Sequence, residues 1–127
     1  EIPLRLVGSE MCIRDRNMTD VVCVRVRLKE GSLPRAREWA REIAGRESEA
    51  LDTLASEGVS IESVFLDSST EGDFLIYYMR ARSIGQASKV AATSVAAIDQ
   101  FHQTFKREVW VDVRKLELLL DLQQKQT

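Results

Sequence analysis

"VSIESVFLDSSTEGDFLIYYMRA", residues 59–81, decides the fold of this 127-residue chain. Two runs rich in β-branched and aromatic residues, 59–67 and 74–81, flank the polar letters SSTEGD, so a β-hairpin is the simplest connection. A register in which Leu66 faces Phe74 assigns the side chains to two separate faces, because strand side chains alternate strictly. One of these faces is apolar near the turn and charged at its far end. Its members are Ser60, Glu62, Val64, Leu66, Phe74, Ile76, Tyr78 and Arg80.

The elements before the hairpin are a strand and a helix. "VVCVRVRL", residues 21–28, alternates apolar and polar side chains and predicts a strand. Ser32 is suited to cap a helix, Pro34 suits its first turn, and Gly58 suits its end. Apolar residues between them recur at helical spacing, which predicts one long amphipathic helix.

The elements after the hairpin are helical and then extended. Ser83 and Gln86 form a capping-box signal for a second helix, and apolar residues continue at helical spacing as far as Val109. "KLELLLDL", residues 115–122, is read as a closing strand, although a leucine-rich run of this length is equally typical of a helix end. The order is β-α-β-β-α-(α)-β, which predicts an α+β fold. It is the ferredoxin-like split βαβ sandwich, with a four-stranded antiparallel sheet.

The predicted sheet leaves one face without helices. Two helices cover only one side, and the hairpin face described above carries too much apolar surface to remain in water. A two-fold axis lets the same patch bury itself against a second copy. We therefore expect a homodimer joined through the open sheet face.

Composition excludes several classes of function. The chain has 20 acidic and 18 basic residues and no basic block, so we expect no nucleic-acid partner. No apolar run approaches the roughly 20 residues of a membrane span, so we expect no membrane partner. Cys12 and Cys23 are isolated and His102 is the only histidine, which predicts no metal site and a disulfide-free, cytoplasmic protein. The single glycines at element ends form no phosphate loop, and we expect no cofactor.

The beginning of the chain does not look like protein-coding sequence. "LVGSEMCIRDR", residues 6–16, resembles the translation of a transposase adapter used to prepare sequencing libraries. We therefore expect residues 1–17 to be a non-native or disordered leader from a bacterial, metagenomic fragment. The expected organisation is one ferredoxin-like domain over residues 18–122 and a frayed polar tail over residues 123–127.

A first candidate site lies on the late helix. Asp99, His102, Lys106 and Trp110 occupy positions i, i+3, i+7 and i+11, which share one helix face. An aspartate one turn before a histidine can hold one ring nitrogen and raise its basicity, leaving the other nitrogen to move a proton. We predict His102 and Asp99 as catalytic residues and Trp110 as a ligand-binding residue. A purely structural pairing of Asp99 with His102 is the alternative.

A second candidate site lies at the charged end of the open sheet face. Its predicted ligand-binding residues are Arg25, Arg27, Glu62, Tyr78 and Arg80. Arginines there could hold a carboxylate or phosphate through paired hydrogen bonds, with Tyr78 donating another. The alternative is that the same charges form salt bridges between two subunits.

Four motifs resemble those of one protein superfamily: "VVCVRVRLKEG", "REW", "ESVFLDSSTEGDFLIYYMRA" and "IDQFHQTFKREVW". The chain resembles the dimeric α+β barrel superfamily over residues 21–122, and within it an uncharacterised domain-of-unknown-function family. That superfamily contains cofactor-independent monooxygenases, haem-handling enzymes, sugar mutarotases, lactone isomerases and proteins without known activity, so the resemblance implies a barrel and no particular reaction. Two functions stay open. One is the binding or transformation of a small polar molecule without metal, and the other is a non-catalytic homodimeric structural or interaction module.

Overall fold

The computed structural model describes residues 20–124. The predicted leader, residues 1–17, lies outside the described residues, as do residues 125–127 of the predicted tail. No helix within residues 20–124 is long and apolar enough to cross a membrane. The elements in chain order are β1 (Asp20–Leu28), α1 (Leu33–Gly45), α2 (Glu47–Glu57), β2 (Val59–Ser69), β3 (Gly72–Ala81), α3 (Ile84–Thr93), α4 (Ala97–Val109) and β4 (Trp110–Lys115).

The strands form one sheet in the order β2-β3-β1-β4, and all neighbouring strands are antiparallel. The two central strands, β1 and β3, are separated in sequence by two helices and by β2. This is the split βαβ arrangement, so the predicted α+β, ferredoxin-like fold is confirmed.

The core lies between the helices and one face of the sheet. Val26 of β1 and Phe105 of α4 are fully buried there, and the Phe105 ring stacks on Trp39 of α1 with 4.6 Å between ring centroids. A smaller cluster joins the ends of β2 and β3 to α3, where Val59, Ala81 and Ala87 are buried. The helices therefore cover one sheet face and leave the other open.

The prediction of one long helix before the hairpin was wrong, because the chain breaks at Arg46. The backbone of Arg46 has φ −117° and ψ 39°, and its N–H bonds the Ile43 carbonyl over a shortened turn. Gly45 favours a break here because glycine costs about 1 kcal/mol relative to alanine inside a helix. The Arg46 guanidinium lies 2.8 Å from a Glu49 carboxylate oxygen and 3.6 Å from a Glu42 oxygen, so it links α1 to α2.

The predicted hairpin register was wrong by one residue. Leu66 pairs with Leu75, and Phe74 pairs with Asp67. The tight turn sets this register. The hydrogen-bonded pairing of β2 with β3 continues as far as Ser69 and Gly72, so the loop between the strands has only two residues. The backbone of Gly72 has φ 133°, a conformation that residues with a Cβ rarely adopt.

This shift exchanges the faces of β2. Glu62, Val64 and Leu66 now lie on the helix side, opposite Met79, Tyr77 and Leu75. The open side receives Ile61, Ser63 and Phe65 instead, beside Ile76, Tyr78 and Arg80 of β3. A bulge between Val59 and Ile61 returns Val59 to the buried face, so the first residue of the strand contacts the core.

The closing strand is Trp110–Lys115, so its prediction at residues 115–122 was wrong. Residues 116–124 have no regular secondary structure. The Leu116 N–H still donates to the Cys23 carbonyl at 2.9 Å, and Asp121 then meets Arg80 on the open sheet face. Strand pairing therefore ends one hydrogen bond after β4. The leucines that follow are exposed: Leu118, Leu119, Leu120 and Leu122.

Candidate functional site

Four aromatic rings from four different elements meet on the helix side of the sheet. They are Trp39 of α1, Tyr77 of β3, His102 of α4 and Trp110 of β4. The His102 ring stacks on Trp39 with a centroid distance of 5.4 Å and an angle of 29°. Tyr77 meets Trp110 edge-on at 5.1 Å, and His102 lies 6.3 Å from each of these two rings. We call these four residues the ring cluster.

Each ring of the cluster carries a buried polar atom that has no hydrogen-bond partner among residues 20–124. The atoms are Trp39 Nε1, Tyr77 Oη, His102 Nδ1 and Trp110 Nε1. The Trp110 N–H lies near enough to favour the Tyr77 phenolate, but it makes no hydrogen bond of good geometry with that hydroxyl. An unpaired buried polar group costs about 1–3 kcal/mol, and proteins tolerate few of them. Four such atoms lie together here, which makes the ring cluster the candidate site among the described residues.

Helix α4 aims His102 at the sheet. Ile98 and Phe105 are buried core residues of this helix, and His102 lies four residues after the first and three before the second. These spacings bring side chains to the same helix face. The histidine therefore faces the core between Trp39 and Trp110, and it is half-buried.

Burial keeps both titratable rings of the cluster neutral. Burial and, to a smaller extent, the nearby Lys106 ammonium lower the pKa of His102 to about 4. Burial also raises the pKa of the Tyr77 phenol above its ordinary value. At pH 7 the histidine is thus an uncharged base and the tyrosine an uncharged donor.

Three acidic side chains interact with one another, and one of them, Glu62, also acts on Tyr77 of the ring cluster. Burial, together with the charges of Asp99 and Glu62, raises the pKa of Glu57, at the end of α2, to about 7. The pKa of Glu62 is raised by burial and by Asp99 and lowered by Lys106, although its side chain keeps an exposed surface. No group of three histidine, cysteine, aspartate or glutamate side chains in the described part of the chain is arranged to hold a metal ion. We call Glu57, Glu62 and Asp99 the acidic rim.

The residues predicted on the late helix and the strand after it lie at this site, with different partners. Trp110 and His102 both belong to the ring cluster. Asp99 makes no hydrogen bond to His102, whose Nδ1 is unpaired, and instead faces Glu57 and Glu62. Glu62 joins them because of the register shift, so the structure separates it from the arginines with which it was predicted to act.

The remaining predicted residues lie on the open sheet face. The Arg80 guanidinium donates to Asp121 at 2.6 Å, and its Nε donates to the Tyr78 hydroxyl at 3.1 Å. Arg25 lies 3.5 Å from Asp67, and Arg27 donates to the Glu71 carbonyl at 3.2 Å. The sheet therefore stands between these residues and the ring cluster.

Sequence reasoning missed Trp39 and Tyr77 as site residues, because their positions among regularly spaced apolar side chains are typical of a core. Both are indeed buried, at 6% and 7% exposure. The signal that could have found them is chemical, since a buried indole N–H or phenol needs a partner that an apolar stripe does not supply.

Comparisons with known proteins agree with this architecture. The family model described as "Family of unknown function (DUF6176)" matches residues 19–127. No curated protein matches the sequence. Among solved structures, an L-rhamnose mutarotase from Formosa agariphila is 16% identical, with a TM-score of 0.56, over 82% of this chain and 99% of that one.

Two further solved structures are similar. Protein Atu4242 from Agrobacterium tumefaciens is 14% identical, with a TM-score of 0.52, over 78% of this chain and 89% of that chain. Rv0793 from Mycobacterium tuberculosis is 16% identical, with a TM-score of 0.50, over 84% of this chain and 100% of that chain. Likenesses of this degree establish a shared fold.

Proposed function

The chain belongs to DUF6176, a family of unknown function, and we propose that it binds a small neutral, oxygen-rich molecule in the ring cluster and transfers protons on it without a metal. One observation carries the proposal, which is the set of four unpaired polar atoms on four rings that face one another. Each unpaired atom of such a set costs free energy, and a ligand that supplies hydrogen-bond partners removes that cost.

The polar atoms select the kind of ligand. The indole N–H groups of Trp39 and Trp110 can only donate, and Tyr77 remains protonated at pH 7. The ligand therefore needs acceptor oxygens, as in carbonyl and hydroxyl groups. The aromatic walls favour a compact molecule with an apolar face, and the neutral state of the cluster favours an uncharged one.

The protonation states suit general acid–base chemistry. His102 is neutral at pH 7 and can accept a proton from a ligand hydroxyl. Glu57, with a pKa of about 7 that the charge of Asp99 helps to raise, can exchange a proton with solvent at neutral pH. Tyr77 and Trp110 then donate hydrogen bonds to the oxygen on which negative charge develops.

Opening of a cyclic hemiacetal is a reaction that needs these groups. A base removes the proton of the anomeric hydroxyl, a donor delivers a proton to the ring oxygen, and the carbon–oxygen bond breaks to leave a free aldehyde. Reclosure on the other face gives the second anomer. The relative from Formosa agariphila is named as an L-rhamnose mutarotase, which makes neutral monosaccharides the first substrates to test.

The test is NMR exchange spectroscopy between the anomers of a panel of neutral monosaccharides. We expect the wild-type chain to accelerate exchange for at least one sugar, and His102→Gln to reduce that acceleration by about 100-fold, the lower end of the range for one general base. Arg107→Gln, an exposed change on the same helix, is the matched control and should leave the rate unchanged. Absence of binding and of acceleration across the panel contradicts the proposal.

A second candidate function, a non-catalytic homodimeric module, is favoured by the open sheet face. Phe65 is 61% exposed on this face and Ile61 is 45% exposed. Leu119 and Leu120 are also exposed, and they directly precede Asp121, which pairs with Arg80 on the same face. Exposed apolar surface of this kind typically marks a protein contact, and a second copy related by a two-fold axis covers it most simply. We propose that the chain forms a homodimer through this face.

Subunit number measured by native mass spectrometry tests the homodimer. Phe65→Glu should convert the dimer to a monomer, because it places a charge in the apolar contact. Leu51→Glu is the matched control, since Leu51 is 55% exposed on α2, away from the open face. A dimer that survives Phe65→Glu, or a monomeric wild type, rules out this interface.

A further inference from the structure

A cavity of about 190 Å³ lies on the open face of the sheet, where β1 meets β4. Its lining residues are Arg25, Arg27, Phe74, Asp112 and Arg114. The strand register places Arg25 opposite Arg114 and Arg27 opposite Asp112, so these side chains leave the sheet on one side. At about 30 Å³ for each water in the liquid, the cavity has room for a small molecule.

The lining carries an excess of positive charge. Three guanidinium groups and one carboxylate leave two positive charges at the cavity wall. Arg25 reaches a second carboxylate, that of Asp67, at 3.5 Å, but Asp67 is about half exposed and such pairs contribute little. Arg114 has no hydrogen bond or ion pair within residues 20–124. Like charges held together in this way are stabilised by an anion between them.

The arginines are also held in position. The Arg25 Cζ lies 3.6 Å from the centroid of the Phe74 ring, and the Arg27 Cζ lies 4.6 Å from it. Phe74 is only 3% exposed, so the ring is a rigid support. Contact with the Phe74 ring restrains both guanidinium groups, and the N–H groups that do not bond Asp67 or the Glu71 carbonyl stay available for hydrogen bonds to an oxyanion.

We propose that this cavity binds a small dianion through its carboxylate or phosphate oxygens, at a site separate from the ring cluster. The two positive charges of the wall match a dianion, and the stacked arginines match the planar, paired acceptors of such groups. The site does not depend on the proposed proton-transfer function, because it lies on the opposite face of the sheet.

Isothermal titration calorimetry with inorganic phosphate, and separately with malonate, tests the site in a buffer of low ionic strength. We expect saturable binding of one ion per chain that weakens as chloride is added. Arg114→Gln should weaken binding by at least about tenfold, since a hydrogen bond to a charged group is lost. Arg107→Gln, an exposed arginine on α4, should leave binding unchanged.

Asp112→Asn should change the affinity for the anion in the opposite direction. It removes the negative charge from the wall and should tighten binding several-fold, which a merely structural aspartate would not do. The proposal is overturned if neither ion binds saturably, or if Arg107→Gln weakens binding as much as Arg114→Gln. It is equally overturned if Arg114→Gln changes the subunit number in native mass spectrometry while phosphate binding stays the same, because the cavity would then serve contacts between copies.

Discussion

Tyr77→Phe is expected to keep or raise the stability of the ligand-free protein, although it deletes a polar group of the proposed site. The ring is 7% exposed and stays buried in the variant, so apolar burial is preserved. The lost hydroxyl has no partner among residues 20–124, and an unpaired buried hydroxyl costs about 1–3 kcal/mol. We expect the free energy of unfolding in urea to be unchanged or higher by about 1 kcal/mol, which corresponds to a rise of about 4 °C in Tm for a domain of this size.

The neighbouring tyrosine provides the matched control. Tyr78 lies on the opposite face of β3, and its hydroxyl accepts a hydrogen bond from Arg80 Nε at 3.1 Å. Tyr78→Phe should therefore lower the free energy of unfolding by about 1 kcal/mol. If Tyr77→Phe destabilises the protein as much as Tyr78→Phe does, the Tyr77 hydroxyl has a partner in the free protein. The reasoning that makes the ring cluster a binding site would then fail.

The other predictions concern how the ring cluster and the acidic rim respond to pH. Glu57 has a folded pKa of about 7, above its unfolded value of 4.5, so its ionisation opposes folding and its contribution to stability is lost as pH rises through that range. Glu57→Gln should therefore stabilise the protein at pH 8 more than at pH 5, as measured by urea midpoints. An equal effect at both pH values contradicts the raised pKa. His102 has a folded pKa of about 4, below 6.5, so the unfolded chain binds the proton more readily and stability should fall from pH 6.5 towards pH 4. His102→Gln should flatten this fall, and an NMR titration that places the His102 pKa near 6.5 would contradict it.

The order of elements could be predicted from the sequence because each element has a strong local pattern. The alternation in residues 21–28 and the capping residue Ser83, whose side chain accepts from the Gln86 N–H at 3.1 Å, are both found in the structure. Positions where a single residue changes the direction of the backbone were harder to predict. The helix breaks at Gly45 and Arg46, but the apolar spacing continues on both sides of the break. Periodicity alone therefore does not reveal it.

The hairpin register shows how a local feature governs the chemistry of a whole face. Both β2 registers give one mostly apolar face, so hydrophobic pattern alone did not choose between them. The choice depends on a two-residue loop closed by Gly72, whose φ of 133° suits a tight turn. A slip of one residue there moves Glu62 from the arginines of the open face to the side of His102.

The two faces of the sheet thereby receive different chemistry from one alternating pattern. In β3, Tyr77 points to a neutral, aromatic cluster under the helices, whereas Tyr78 and Arg80 point to the cationic open face. Burial against helices selects groups that can stay uncharged at pH 7, since desolvation penalises charge. The open face carries no helices and can hold guanidinium groups, which require either counter-charges or a bound anion. A ligand for the ring cluster should therefore be uncharged and one for the arginine cavity anionic, and neither ligand should compete with the other when both are present in one titration.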